Sequence, residues 1–281
     1  MKRYTGDKGQ REMEKDEMRW ILVWCLLLEM LSGCNSETTS SDPIGPTRIL
    51  NVPSEFATIQ QAINESRSGD TIRVAPGFYP ENLTIDSKAI TLLGAGRGSS
   101  IIQGFVIFKT SQGSIKGFTV TGGTSSGIYL VNSNMTITGN EIDQNTLSGI
   151  KVENSTGLIS DNQITNNGEE GVLVEDTSGL VIGGNNILNN KTDGITLDNS
   201  SPTILDNIIQ NNGADGISIR GFDRFSAPLL TGNKIQANGS VGNFDIVCLG
   251  PHTNPTGNGN QFGSCFNCSE CAQLAAPGGG L

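Results

Sequence analysis

The stretch GIKVENSTGLISDNQITNNGEEG, Gly149–Gly171, runs directly into GVLVEDTSGLVIGGNNILNNKTDG, Gly171–Gly194, and then GITLDNSSPTILDNIIQNNGADG, Gly194–Gly216. The three read as one phrase written three times. Its opening Gly stands at Gly127, Gly149, Gly171, Gly194 and Gly216, an interval of 22 or 23 residues. One Asn recurs at Asn140, Asn162, Asn185, Asn207 and Asn233, another at Asn145, Asn167, Asn190, Asn212 and Asn238. Within each unit, Ile, Val and Leu alternate with polar residues over short runs such as GIKVE, GLIS and NQIT, the period of strands buried on one face. So short a period, with no helical stretch between the runs, describes a solenoid of parallel strands. Stacked coils lie about 4.8 Å apart, which lets aligned Asn amides donate and accept along the stack.

The start of the solenoid is marked as well. Ile59, Ala62 and Ile63 form the apolar side of a short amphipathic stretch, and Thr58 with Gln61 reads as its capping box. Such a helix covers the open apolar end that a solenoid's terminal coil presents. The phrases ATIQQAI (57–63), SGDTIRVAPGFYPENLTI (68–85), ITLLGAG (90–96) and IKGFTVTGG (115–123) resemble the N-terminal coils of the pectin-lyase-like family. The resemblance spans residues 49–265 and implies an all-β, right-handed parallel β-helix of roughly 22-residue coils with an N-terminal capping helix. That superfamily includes lyases, hydrolases, esterases, epimerases and proteins without a reaction, so fold does not imply activity. The paired-Asp and Arg-Pro-Trp signatures of its methylesterases, the Gly-His-Gly of its polygalacturonases and the Asp-Pro-His-Asp of its alginate epimerases are missing. GAGRG, Gly94–Gly98, lacks dinucleotide-binding spacing and reads as a coil turn. His252, the single histidine, lies in the Pro/Gly-rich GPHTNPTG and reads as a solvated loop residue.

With 37 Gly in 281 residues and 5% aromatics, the composition suits a β-rich exported chain with many tight turns. ILVWCLLL, Ile21–Leu28, is too short to serve as a final membrane span and is followed by LSGC, Leu31–Cys34. That ending resembles a bacterial lipobox, which implies lipidation of Cys34, with translation starting at Met1 or Met18. The expected organisation is a signal peptide over residues 1–33, a lipidated tether over 34–48, the β-helix over 49–264, and a Cys-rich cap and disordered tail over 265–281. The expected location is the outer membrane or cell surface of a bacterium. A net charge of −10 argues against nucleic acid as a partner.

Chemistry is sought in columns. The residues before the repeated Gly are Ser126, Ser148, Glu170, Asp193 and Asp215, with Lys191 two positions from Asp193. Four residues after each Gly stand Val131, Glu153, Glu175, Asp198 and Arg220, and between the columns lie Tyr129, Lys151, Leu173, Thr196 and Ser218. Carboxylates at coil spacing repel unless protonated, cation-bound or solvated. Glu170, Asp193 and Asp215 are therefore candidate calcium ligands and, with Lys191, candidate catalytic groups; the alternative is an acidic, water-exposed turn. The interval from Asn207 to Asn233 is 26, the extra residues falling in RGFDRFSAP. Insertions project from solenoids and often build binding surfaces; the alternative is an insertion that is merely tolerated. Tyr129, Lys151, Arg220, Phe222, Arg224 and Phe225 are accordingly the candidate saccharide-binding residues, with Arg pairing to a uronate and Phe packing on a sugar face.

Cys248, Cys265, Cys268 and Cys271 have ligand-like spacing for zinc or iron–sulfur, but export favours two disulfides closing the last coil, in any of three pairings. The function expected is a surface-anchored β-helix that binds or displays to polysaccharide, without an evident catalytic motif. The alternatives are a calcium-assisted lyase or glycosidase acting on acidic polysaccharide, and a structural spacer or adhesin.

Overall fold

In the computed structural model, residues 47–239 and 242–275 are described. The signal, Cys34 and the tether as far as residue 46 lie outside the described residues. Parallel strands stack into three sheets of ten, nine and eight strands, and each strand pairs with its equivalents one coil before and after. The chain forms a right-handed parallel β-helix: a parallel solenoid as the 22-residue period predicts, of the hand that the pectin-lyase-like resemblance implies. The nine-stranded sheet carries the strands Ile128–Val131, Ile150–Glu153, Val172–Glu175, Ile195–Asp198 and Ile217–Arg220 as consecutive rungs. Their register is exact in sequence terms: Val131, Glu153, Glu175, Asp198 and Arg220 are successive partners.

The interior is a set of aliphatic stacks. Ile142, Ile164, Ile187, Ile209 and Ile235 occupy one column, and all are fully buried. Burying one such side chain contributes about 1.5–3 kcal/mol, and a coil alone has no second layer against which to do so.

Polar ladders line the corners. Asn185 Oδ1 accepts from the backbone N–H and the amide of Asn162, while its own amide donates to Ile159 O, Gly183 O and Asn207 Oδ1. The same pattern continues to Asn260, one rung beyond the column legible in sequence. The second Asn column ends where Asn238 meets Asp245. A third ladder went unread in the sequence: Ser111, Ser133, Ser155, Thr177, Ser200 and Ser226, each hydroxyl accepting from the backbone N–H one coil earlier. Its spacing was visible, but Ser and Thr vary too freely along this chain for the column to stand out.

Helix α1, Ile59–Glu65, closes the N-terminal end with Ile59, Ala62 and Ile63 buried. Thr58 Oγ1 accepts from the Gln61 N–H at 3.1 Å, which is half of the expected capping box. The Gln61 side chain stays exposed, and Glu81 instead accepts from the N–H groups of Ile59 and Gln60. Lys88 donates to the carbonyls of Ile63, Asn64 and Ser66 at the other end. At the C-terminal end, Cys265–Phe266 adds one more rung to the nine-stranded sheet, and helix α2, Cys271–Leu274, follows it. The cysteines form two disulfides, Cys248–Cys268 and Cys265–Cys271, so their thiols are not metal ligands. Among the described residues, no helix is long and apolar enough to cross a membrane.

Candidate saccharide-binding face

The outer face of the nine-stranded sheet gathers most of the residues singled out above. Alternation along each strand places Tyr129 and Lys151 outward on adjacent rungs, with Glu153 and Glu175 two positions further along. The Tyr129 hydroxyl donates to Glu153, and Lys151 Nζ lies 2.8 Å from Glu175 and 5.5 Å from the Tyr129 ring centroid. Burial, reinforced by the hydrogen bond to Glu153, pushes the Tyr129 hydroxyl up to about 12. It is a hydrogen-bond donor at any physiological pH.

Beyond them, Glu153, Glu175, Asp176, Asp198 and Asn199 line a hollow of about 270 Å³. Burial raises the Asp198 carboxyl above its ordinary value, Arg220 opposes the rise, and the charges of Glu175, Asp176 and Asp223 add to it. Asp176 and Asn199 were not among the sequence candidates. Both follow a strand end at positive φ, 46° and 49°, a backbone that Asp and Asn tolerate better than most residues. A turn preference thus supplied the acidic lining, and the signal was the column Asn132, Asn154, Asp176, Asn199.

The first acidic column behaves differently from the expectation. Asp193 is buried; it accepts from Thr196 Oγ1 at 2.8 Å and the Asp215 N–H at 2.9 Å, and Arg220 Nη2 lies 3.1 Å away. The Arg220 side chain therefore folds back across its own strand to join the two columns, and Thr196 and Ser218, although outward in register, are buried. Burial raises the Asp215 carboxyl, the Phe244 N–H and Arg220 oppose this, and Asp193 adds to it. Glu170 takes a hydrogen bond from Ser148, and Lys191 is exposed. The structure does not bring Glu170, Asp193 and Asp215 together as one ligand set. Among the described residues, the only three ligand-type side chains gathered within 4.8 Å are Cys265, Cys268 and Cys271, which are disulfide-bonded.

The insertion borders the acidic hollow, the Arg224 N–H donating to Asn199 Oδ1 at 3.1 Å. Phe222 is 55% and Phe225 70% exposed, far more than their apolar character favours. Ser226 anchors the loop, its hydroxyl donating to Ser200 O and its N–H to His252 O. Gly221 and Gly250 let the insertion lie against the next coil: a Cβ at Gly221 would meet His252 O at 2.4 Å, and one at Gly250 would meet Gly221 O at 2.5 Å. Arg224 Nη1 reaches Asp176 at 3.5 Å. His252, expected to be a solvated loop residue, is only partly exposed, and its ring lies 5.1 Å from that of Phe225, centroid to centroid. Phe244, in the loop before the strand Ile246–Leu249, stacks on Phe266 of the last rung at 4.7 Å.

A second hollow of about 400 Å³ lies at the N-terminal end, among Pro53, Pro76, Phe78, Tyr79 and Pro80. Its carboxylate, Glu81, is already engaged in capping α1, so the hollow offers little polar chemistry.

The family described as the right handed beta helix region matches residues 103–265. No curated protein matches the sequence. Among solved structures, a pectate lyase superposes with a TM-score of 0.59 at 13% identity, over 83% of this chain and 75% of that one. The A-module of a mannuronan C-5 epimerase from Azotobacter vinelandii gives 0.61 at 18% identity, over 73% of this chain and 64% of that one. An alginate lyase from Paenibacillus sp. gives 0.55 at 19% identity, over 83% and 98%. The chain thus spans just under two thirds of the epimerase module. At these identities the likeness is one of fold.

Proposed function

This chain belongs to the right-handed β-helix family, and we propose that it is an exported, lipid-anchored protein that binds polysaccharide on the outer face of its nine-stranded sheet. The observation that carries the reading is the insertion between Ile217–Arg220 and Leu229–Thr231, which holds Phe222 and Phe225 in water beside a polar hollow. Sugars have an apolar ring face and hydroxyl edges, and that pairing of aromatic plane with hydrogen-bonding groups fits them. The structural neighbours are named for pectate, mannuronan and alginate, all polysaccharides. Turnover is not part of the reading. Lys151, the nearest base for an elimination, is engaged by Glu175 at 2.8 Å and so is not held free to meet a substrate proton. Surface anchoring rests on the LSGC sequence ending at Cys34.

The test is a glycan array probed with the exported chain, alongside a depolymerisation assay. Binding without chain cleavage is expected, with Phe225→Ala weakening it about ten-fold. Saccharide binding that is unaffected by Phe225→Ala and Phe222→Ala together refutes this face as the site.

A further inference from the structure

Resting on that binding reading, we infer that the saccharide units in contact with this face carry no carboxylate: they are neutral or amino-bearing pyranose rings, not uronates. From sequence alone, Lys151, Arg220 and Arg224 stand ready to receive a uronate. In the folded chain each already faces a carboxylate, closely for Lys151 and Arg220 and loosely for Arg224, whose pair is long and exposed. Lys151 is paired with Glu175 at 2.8 Å, Arg220 with buried Asp193 at 3.1 Å, and Arg224 with Asp176 at 3.5 Å. What then faces a ligand is acidic: Glu153, Glu175, Asp176 and Asp198 line the hollow, and Asp223 is exposed on the insertion. Lys109 shares the column but stands two rungs from Glu153, beyond Val131, about 10 Å away.

A uronate laid across this surface sets its carboxylate among like charges and has to break an existing ion pair to gain a cation. Repulsion of this kind selects between ligands more strongly than it changes the affinity of the right one. Stacking on Phe222, Phe225 and the Phe225–His252 pair needs only the apolar ring face, which neutral and amino sugars present as well as uronates do. An ammonium on the sugar gains from the same carboxylates that repel an acid. The aromatic rings provide the contact and the ion pairs decide which sugar may make it.

The experiment is calorimetric titration of the full exported chain at near-physiological salt. The probes are neutral hexose oligomers, de-acetylated hexosamine oligomers, oligogalacturonate and oligoalginate, each with calcium and with chelator. Neutral or amino oligomers are expected to bind, with both uronates at least about ten-fold weaker in either condition. Glu175→Gln, which frees Lys151 with little change of shape, is expected to raise uronate affinity relative to neutral-oligomer affinity by several-fold, whatever it does to the latter. Uronate binding as tight as that of the other arms, with or without calcium, overturns the inference while sparing the binding reading. Absence of binding in every arm overturns both.

Discussion

Replacing Arg220 by Ala tests whether the two acidic columns are held together by one side chain. Arg220 is the only cation within ion-pair distance of Asp193 among the described residues, and the Asp193 side chain is 5% exposed. Removing one partner of a buried pair costs about 3–5 kcal/mol, because the remaining charge is left without compensation. Here the loss is smaller. Asp193 keeps Thr196 and the Asp215 N–H as donors, and the Arg220 side chain is 35% exposed, so water partly replaces it. A destabilisation of about 1–3 kcal/mol is expected, or roughly 2–12 °C in Tm for a domain of this size. Arg224→Ala is the internal control. Its pair with Asp176 is long and its side chain 72% exposed, so less than about 0.5 kcal/mol is expected.

The pH dependence sharpens the test. Burial holds the Asp198 and Asp215 carboxyls above their ordinary 3.8, and Arg220 opposes the rise in both. A carboxyl raised on folding binds more protons folded than unfolded, so its contribution to stability falls as pH rises from the unfolded value through the folded one. Without Arg220 both carboxyls rise further, and the deficit of the variant is greatest at neutral pH and shrinks as pH falls towards 4. Thermal melts of parent, Arg220→Ala and Arg224→Ala across that range decide the matter. Equal shifts for the two variants, or a deficit for Arg220→Ala that does not change with pH, refute the bridging role.

Asn185→Ala removes five side-chain hydrogen bonds and leaves the Asn162 N–H buried without its acceptor; a loss of about 2–4 kcal/mol is expected in denaturant unfolding, against near-neutrality for an exposed Asn such as Asn254. Mass analysis of unreduced protein should find Cys248 joined to Cys268 and Cys265 to Cys271, and opening the 20-residue loop with Cys248→Ser and Cys268→Ser should cost about 2–4 kcal/mol. Asp70, its carboxyl lowered to about 2 by Arg48 and by the N–H groups of Arg67 and Arg48 against burial, contributes stability that is complete above 3.8 and lost as pH falls through 2; Asp70→Asn should flatten the acid limb of the stability curve in that window. Cys34→Ser should release the exported chain from the membrane fraction, and unchanged membrane association with signal cleavage elsewhere refutes the lipid anchor.

The amino-acid sequence alone determined the architecture, because a solenoid repeats its local instructions. Ile, Val or Leu at the interior positions, Gly at the repeated strand start and Asn at two of the corners recur at the coil period, so composition within one unit declares the stack. It also determined which side of each strand faces out, since alternation is a two-residue property: Tyr129 and Lys151 were placed correctly on that ground. What the tertiary structure decided is where long side chains go once the coils are stacked. Arg220 lies five positions from Asp215 in sequence and a full coil beyond Asp193, and nothing in the repeat says that it turns back to Asp193 and away from solvent. The same holds for Arg224 with Asp176 and for Phe225 with His252, contacts across 48 and 27 residues. Periodicity encodes what each coil does in common with its neighbours. The binding face is made where one coil departs from them, and there only the packed neighbours determine which charges remain free.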